Sequence, residues 1–124
     1  MRIIKQGPSN CFATCVAMVC DTTIEQVEGY LGHKFAPHPQ EFFEYFKEHG
    51  MIPSYLVTKV TMECLTPEDQ TTRTIDFPLE ITNKYAILFT EDHAVAWDGQ
   101  NVFDPRGYIA NLNRYKIRDY ILLI

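Results

Sequence analysis

The sequence predicts an α+β domain in which N-terminal helices, one of them buried, pack on an antiparallel β-sheet formed later in the chain. Three observations carry this expectation. The stretch from Cys11 to Cys20 is apolar on nearly every side and follows four turn and cap formers, Gly7-Pro8-Ser9-Asn10. Two further segments before Gly50 repeat apolar residues at helical spacing, and after Gly50 the period shifts to that of strands. Helices first and strands afterwards give a segregated architecture, not an alternating βαβ one. The length of 124 residues fits a single domain spanning 1–124, large enough for one proper core.

Each element has its own local signal. A helix that is apolar all round belongs in the middle of a domain, so the Cys11 helix is expected at its centre, capped by Ser9 or Asn10. A second helix is expected to start at Thr22 or Thr23, because Thr23-Ile24-Glu25-Gln26 has the form of a capping box. Its apolar positions are Ile24, Val27 and Leu31, and Gly32 suits its stop. A third helix is expected from Pro39 to His49, with Phe42, Phe43 and Phe46 as its buried face and Gly50 at its end. Strands are expected at 55–60, 85–90, 93–97, 101–104 and about 115–123, whereas Cys64 to Pro78 is ambiguous.

Composition removes several classes of function. With 46% apolar and 22% charged residues the chain is not of disordered type. A net charge of −5 and a pI near 5.3 leave no electrostatic footprint for nucleic acid. No apolar run is long enough to cross a bilayer, and Met1-Arg2-Ile3-Ile4-Lys5-Gln6 has no signal-peptide core, so no membrane partner is expected. The expected compartment is the cytoplasm, of a bacterium or, for a phage-encoded protein, of its host. Of the four cysteines, Cys11 and Cys15 lie one helical turn apart, where disulfide geometry is hard to reach, and Cys11, Cys15, Cys20 and Cys64 are expected to be free thiols. Without a C-x-x-C or H-x-x-x-H pair no metal is expected, and no cofactor either.

The chemistry-bearing residues follow from position. Cys11 falls in the first turn of the central helix, where unsatisfied amides carry roughly half a positive charge and favour thiolate over thiol. Cys15 and Cys20, deeper in the helix, read as small core hydrophobes. Asp98-Gly99 is a type I′ hairpin signal. A two-residue turn there opposes Trp97 to Gln100, Val95 to Val102 and His93 to Asp104. A longer turn over Asp98–Asn101 leaves His93 and Asp104 diagonal to one another. In either register a carboxylate can orient an imidazole, and Cys, His and Asp together make a nucleophile, a base and an orienting group. Gln6 lies five residues before Cys11 across a Gly-Pro turn, where its amide can join the Cys11 N–H in an oxyanion hole.

These residues bring a family into view. Gln6-Gly7-Pro8-Ser9-Asn10-Cys11-Phe12-Ala13-Thr14-Cys15-Val16-Ala17-Met18, His93-Ala94-Val95-Ala96-Trp97 and Phe103-Asp104-Pro105 resemble the papain-like cysteine peptidases, most closely the bacteriocin-processing C39 group and its C39-like relatives. The resemblance implies a papain-like fold with Cys11 as nucleophile, His93 as general base and later acid, Asp104 as orienting residue and Gln6 as oxyanion donor. The chain has Phe12 after the nucleophile, where many members of that group carry a small residue.

The remaining candidates carry two readings each. Asn10 and Phe12 flank the nucleophile and are expected to line a cleft. Arg106 either lines the cleft beside Asp104 or forms a salt bridge, and Trp97, on the His93 face by alternation, is expected to screen the His–Asp pair from water. His33, His38 and His49 read as surface or cap residues. The functional expectation is a cysteine peptidase or amidohydrolase that cleaves a peptide or isopeptide bond in a protein or peptide substrate. The alternatives are a catalytically silent peptide-binding module of the same fold and a thiol acyltransferase or deamidase acting on a protein side chain.

Overall fold

The computed structural model describes residues 1–8, 10–31, 38–58 and 79–124. Its first helix, α1 (Cys11–Cys20), is buried from Phe12 through Cys20, as its all-apolar composition requires. Among the described residues no side chain caps it. Asn10 occupies the N-cap position, but its Nδ2 donates to Glu28 Oε1 at 3.2 Å, so the predicted Asn10 cap does not form. Burying Val16, Met18 and Val19 contributes about 1.5–3 kcal/mol each, against about 1 kcal/mol for a cap, so packing holds this helix where capping does not. The helix ends on Asp21 in the left-handed conformation, and Thr22 N–H bonds the Ala17 carbonyl at 2.9 Å.

Helix α2 (Ile24–Leu31) starts one half of the predicted capping box, with Thr23 Oγ1 accepting the Gln26 N–H at 3.2 Å. Of its apolar positions Val27 is buried, while Ile24 and Leu31 pack against the core. The third helical segment is not continuous: a 3₁₀ turn over Pro39–Phe42 passes into α3 (Phe43–Glu48), with Phe42 at φ −101, ψ 2. Its buried face is Phe42, Tyr45 and Phe46, not the predicted Phe42, Phe43 and Phe46. Positions i, i+3 and i+4 lie on one side of a helix, so Tyr45 turns inward, its hydroxyl donating to Thr22 Oγ1, and Phe43 is half-buried.

Among the described residues, six strands form one antiparallel sheet: β1 (Pro53–Val57), β2 (Tyr85–Phe89), β3 (Ala94–Trp97), β4 (Val102–Asp104), β5 (Tyr108–Ala110) and β6 (Asp119–Leu123), in the order β1-β6-β2-β3-β4-β5. β1 begins two residues before the predicted strand, at Pro53, which an edge strand tolerates. β5 was not anticipated, and the last strand begins at Asp119 because a 3₁₀ turn over Leu112–Arg114 and an extended stretch precede it. The expectations placed on Ser9, Gly32, His33, Lys59, Val60 and Cys64, and on the segment up to Pro78, lie outside the described residues.

Strict alternation gives the sheet two apolar faces. Ile87, Ala94, Ala96, Phe103 and Ile121 face the helices, and the alanines of β3 let α1 approach closely. Ala86, Leu88, Val95, Trp97, Val102, Tyr120 and Leu122 form a second core on the opposite face.

The β3–β4 hairpin corrects the two-residue turn. Trp97 pairs with Val102 and Ala96 with Phe103, so Asp98–Asn101 is a four-residue loop and the longer of the two expected registers is the observed one. Asp98 decides this: its Oδ1 accepts the N–H groups of Gln100 and Asn101 at 2.9 and 2.7 Å, which closes a wider loop. Gly99 serves a different purpose from the predicted one. Its φ is +99, and a Cβ there would stand 2.9 Å from the Asn83 backbone, whose N–H bonds the Gly99 carbonyl. The two-residue hairpin loop occurs one connection earlier, at Glu91-Asp92 between β2 and β3, where Thr90 N–H bonds the His93 carbonyl at 2.8 Å.

Candidate active site

Cys11 is the first residue of α1, and Phe12 fixes that helix end. The Phe12 ring meets Phe42 and Phe89 edge-on at 5.3 and 5.2 Å, contacts worth about 0.5–1.5 kcal/mol each beyond area burial. This ties the helix N-terminus to β2 and to the 3₁₀ turn, and it leaves Cys11 half-buried beside the start of β3. The Glu91-Asp92 hairpin delivers His93 to the same point, one residue before β3 begins.

His93 Nε2 lies 2.9 Å from Asp104 Oδ1, and the imidazole also stands beside the Cys11 thiol and couples to it. The His93 side chain is only 7% exposed and Asp104 not at all, so the pair is shielded from solvent screening. In the observed register the two side chains are diagonal neighbours on one face. Asp104 is held by its own turn: Oδ1 accepts the Arg106 N–H at 2.9 Å, and the Asp104 carbonyl accepts the Gly107 N–H at 2.9 Å. Tyr115 Oη donates to the other oxygen, Oδ2, at 2.6 Å.

The electrostatics follow from these contacts. Burial pushes the Cys11 thiol up, but the His93 hydrogen bond, the Ala94 and Phe12 N–H groups and the His93 charge together hold it below the ordinary thiol value. The bond to Cys11 raises His93 above the usual imidazole value against the effect of burial, and Asp104 adds to the rise. Burial likewise pushes Asp104 up, yet the Tyr115 hydroxyl, the Arg106 N–H and His93 outweigh it and keep the carboxyl below its usual range. The other helix thiols behave oppositely. Burial, with the Cys11 and Asp104 charges, drives Cys15 well up, and burial alone lifts Cys20 to about 12. Cys11, Cys15 and Cys20 are all free thiols, and Cys11 alone of these three favours the thiolate.

Cys11 and His93 open on a cleft of about 540 Å³. Phe12, Pro39, Val57 and Phe89 give it apolar walls, and Tyr55 and Asp119 form a polar pair within it, the Tyr55 hydroxyl donating to Asp119. Burial raises Asp119 despite Tyr55 and Arg118.

The other sequence-predicted residues fall as follows. Phe12 lines the cleft as a buried wall. Asn10 does not line it: its side chain turns to α2, with Oδ1 buried and unpartnered. Arg106 is not a cleft residue either; its exposed guanidinium lies 3.6 Å from Asp104 Oδ2, which is the salt-bridge reading. Trp97 does not screen the His–Asp pair. It lies four residues along the chain, about 13 Å at strand rise, and its Nε1 donates to the Ile81 carbonyl at 2.7 Å in the second core. Gln6 is half-buried beside the Asp104 turn, its N–H bonded to the Pro105 carbonyl at 2.6 Å and its side-chain carbonyl oxygen buried without a partner. His49 caps α3, with Nδ1 2.8 Å from the Tyr45 carbonyl.

Sequence reasoning missed Tyr115, Tyr55 and Asp119. No local signal marks them, because each is brought to the site by strand pairing or by a turn remote in sequence. Among the described residues no cluster of His, Cys, Asp or Glu is arranged to hold a metal ion, and no helix is long and apolar enough to cross a membrane. No protein-family model, curated protein or solved structure matches the chain.

Proposed function

We propose that this chain is a papain-like cysteine peptidase or amidohydrolase that cleaves a peptide or isopeptide bond through a thioester. One observation carries the reading: the thiol at the open end of a buried helix stands beside an imidazole whose far nitrogen is held 2.9 Å from a fully buried carboxylate. That arrangement favours a thiolate beside an imidazolium, a nucleophile with its acid at hand. A helix carrying the Cys, packed on an antiparallel sheet that carries the His and the Asp, supports the papain-like assignment.

The steps follow from these groups. Cys11 Sγ attacks the carbonyl carbon of a substrate lying in the cleft, and the developing oxyanion is met by the Cys11 N–H, which has no partner within the helix, and by the Gln6 side-chain amide. His93 passes its proton to the leaving nitrogen as the C–N bond breaks, leaving an acyl thioester on Cys11. Water then adds to the thioester while His93 takes its proton. The acid departs and the thiolate returns, with one water consumed for each bond cleaved. Asp104 keeps the ring oriented and stabilises its charged form throughout.

The test is intact-mass profiling of lysate proteins and of a synthetic peptide library treated with wild type or with Cys11→Ala. Cleavage yields pairs of fragments whose masses add to the substrate plus one water, made by wild type and not by Cys11→Ala. Activity that survives Cys11→Ala overturns the reading. Masses that do not change, together with a Cys11 that forms no adduct with a peptidyl thioester, would establish the peptide-binding module instead. A single chain gaining only the difference between hydroxyl and amide would establish a deamidase.

A further inference from the structure

We propose that Tyr115 is a positioning residue of this site: its hydroxyl clamps the free oxygen of the Asp104 carboxylate and so fixes the plane in which Asp104 meets His93. The inference rests on Cys11, His93 and Asp104 acting together as proposed above. The two carboxylate oxygens have separate partners. Oδ1 receives the Arg106 N–H and His93 Nε2, both at 2.9 Å, and Oδ2 receives Tyr115 Oη at 2.6 Å. With Oδ1 alone held, rotation about the last side-chain bond would be opposed from one side only. The phenol closes the other side.

Every charged or titratable neighbour of Asp104 is consistent with this role. The turn after β4 contributes Arg106, whose guanidinium is 3.6 Å from Oδ2 but more than half exposed, so solvent screens it. His93 comes from just before β3 with Cys11 of α1 beside it, and Cys15 of α1 feels the charge of the carboxylate. Tyr108 of β5 neighbours Tyr115 and Arg106 and acts on them, not on the carboxylate itself. Tyr115 is thus the one buried-side donor to Oδ2 among the described residues, and short hydrogen bonds to a desolvated carboxylate are the strong ones. The phenol remains protonated, since burial and the Asp104 contact raise it well above the ordinary tyrosine value.

The experiment follows the His93 ring resonances by NMR across pH in wild type, Asp104→Asn, Tyr115→Phe and Arg106→Gln, with near-UV circular dichroism as the folding control. In wild type these resonances report the titration of Asp104. In Tyr115→Phe that titration moves up by about 1–2 pH units, the equivalent of one lost hydrogen bond to a charged group. Arg106→Gln moves it much less. An unchanged titration in folded Tyr115→Phe, or an equal shift in Arg106→Gln, overturns the proposal. If Asp104→Asn leaves the His93 resonances of the wild type unaltered, the failure lies in the triad itself. Should Tyr115→Phe not fold, ¹³Cζ-tyrosine labelling of wild type and Asp104→Asn decides instead. A Tyr115 signal that follows the Asp104 titration supports the clamp, and one that ignores both the titration and the substitution overturns it.

Discussion

Replacing His93 by alanine isolates the contact on which the site depends. Three groups lower the Cys11 thiol against its burial: His93, the Ala94 N–H and the Phe12 N–H, with His93 contributing both the strongest bond and a charge. Only the two amides remain after the substitution. A hydrogen bond to a charged group is worth about 1.5–3 kcal/mol, which at 1.36 kcal/mol per unit raises the Cys11 pKa by about 1–2 units. At a pH below both pKa values the thiolate fraction then falls about 10- to 100-fold. A more basic thiolate is also intrinsically more nucleophilic, with a Brønsted slope of about 0.4–0.5, and this returns roughly half of the loss on a logarithmic scale. Alkylation of Cys11 by iodoacetamide is therefore expected to slow by about 3- to 10-fold in that pH range. The assay is timed alkylation with peptide mass mapping, which resolves the four cysteines and shows Cys15 and Cys20 unlabelled in the folded protein. An unchanged Cys11 rate and midpoint in a folded His93→Ala protein would refute the reasoning, as would labelling of Cys15 in preference to Cys11.

Three further outcomes are expected. Asp104 has a depressed folded-state pKa, so its contribution to stability is present above the unfolded value of 3.8 and is lost as pH falls through the folded value. The melting-temperature deficit of Asp104→Asn, corresponding to about 1.5–3 kcal/mol at neutral pH, should therefore shrink as thermal scans are taken from pH 6 towards pH 3; a deficit that stays constant speaks against the linkage. Trp97→Phe removes the shorter of two hydrogen bonds to the Ile81 carbonyl, which keeps the Lys84 N–H, and shrinks a buried ring, costing about 1–3 kcal/mol in denaturant titrations, while Cys11 alkylation kinetics stay at the wild-type rate. Gly99→Ala forces a side chain onto a backbone at φ +99 and within 2.9 Å of Asn83, so its denaturation midpoint should fall by the equivalent of about 1–3 kcal/mol; wild-type stability there would mean that the loop relaxes freely.

Much of the site was legible in the chain because its signals are local. The apolar run after Gly7-Pro8-Ser9-Asn10 set both the burial of α1 and the place of Cys11 at its open end, and those depend on neighbours within one or two turns. The alternation around His93 and Phe103-Asp104 marked two strands close enough in sequence to pair, and either turn length left the imidazole within reach of the carboxylate. The choice of turn was not legible. It depends on Asp98 bonding two downstream amides and on Gly99 lying against Asn83, sixteen positions away, a contact that no Asp-Gly pair announces. Asn10 misled for a related reason: its side chain found Glu28 on α2 instead of its own helix.

The sequence by itself therefore determined which residues could do chemistry and on which elements they stand, since helix ends, periods and turn formers are governed by free energies between near neighbours. Tertiary structure decided the rest: the hairpin register, the cleft between α1 and the β1–β6–β2 end of the sheet, and the pinning of Asp104 by Tyr115. The cleft and the Gly99–Asn83 contact join groups well separated along the chain, and whether a buried carboxylate has its donors depends on what the packing of the whole sheet brings beside it.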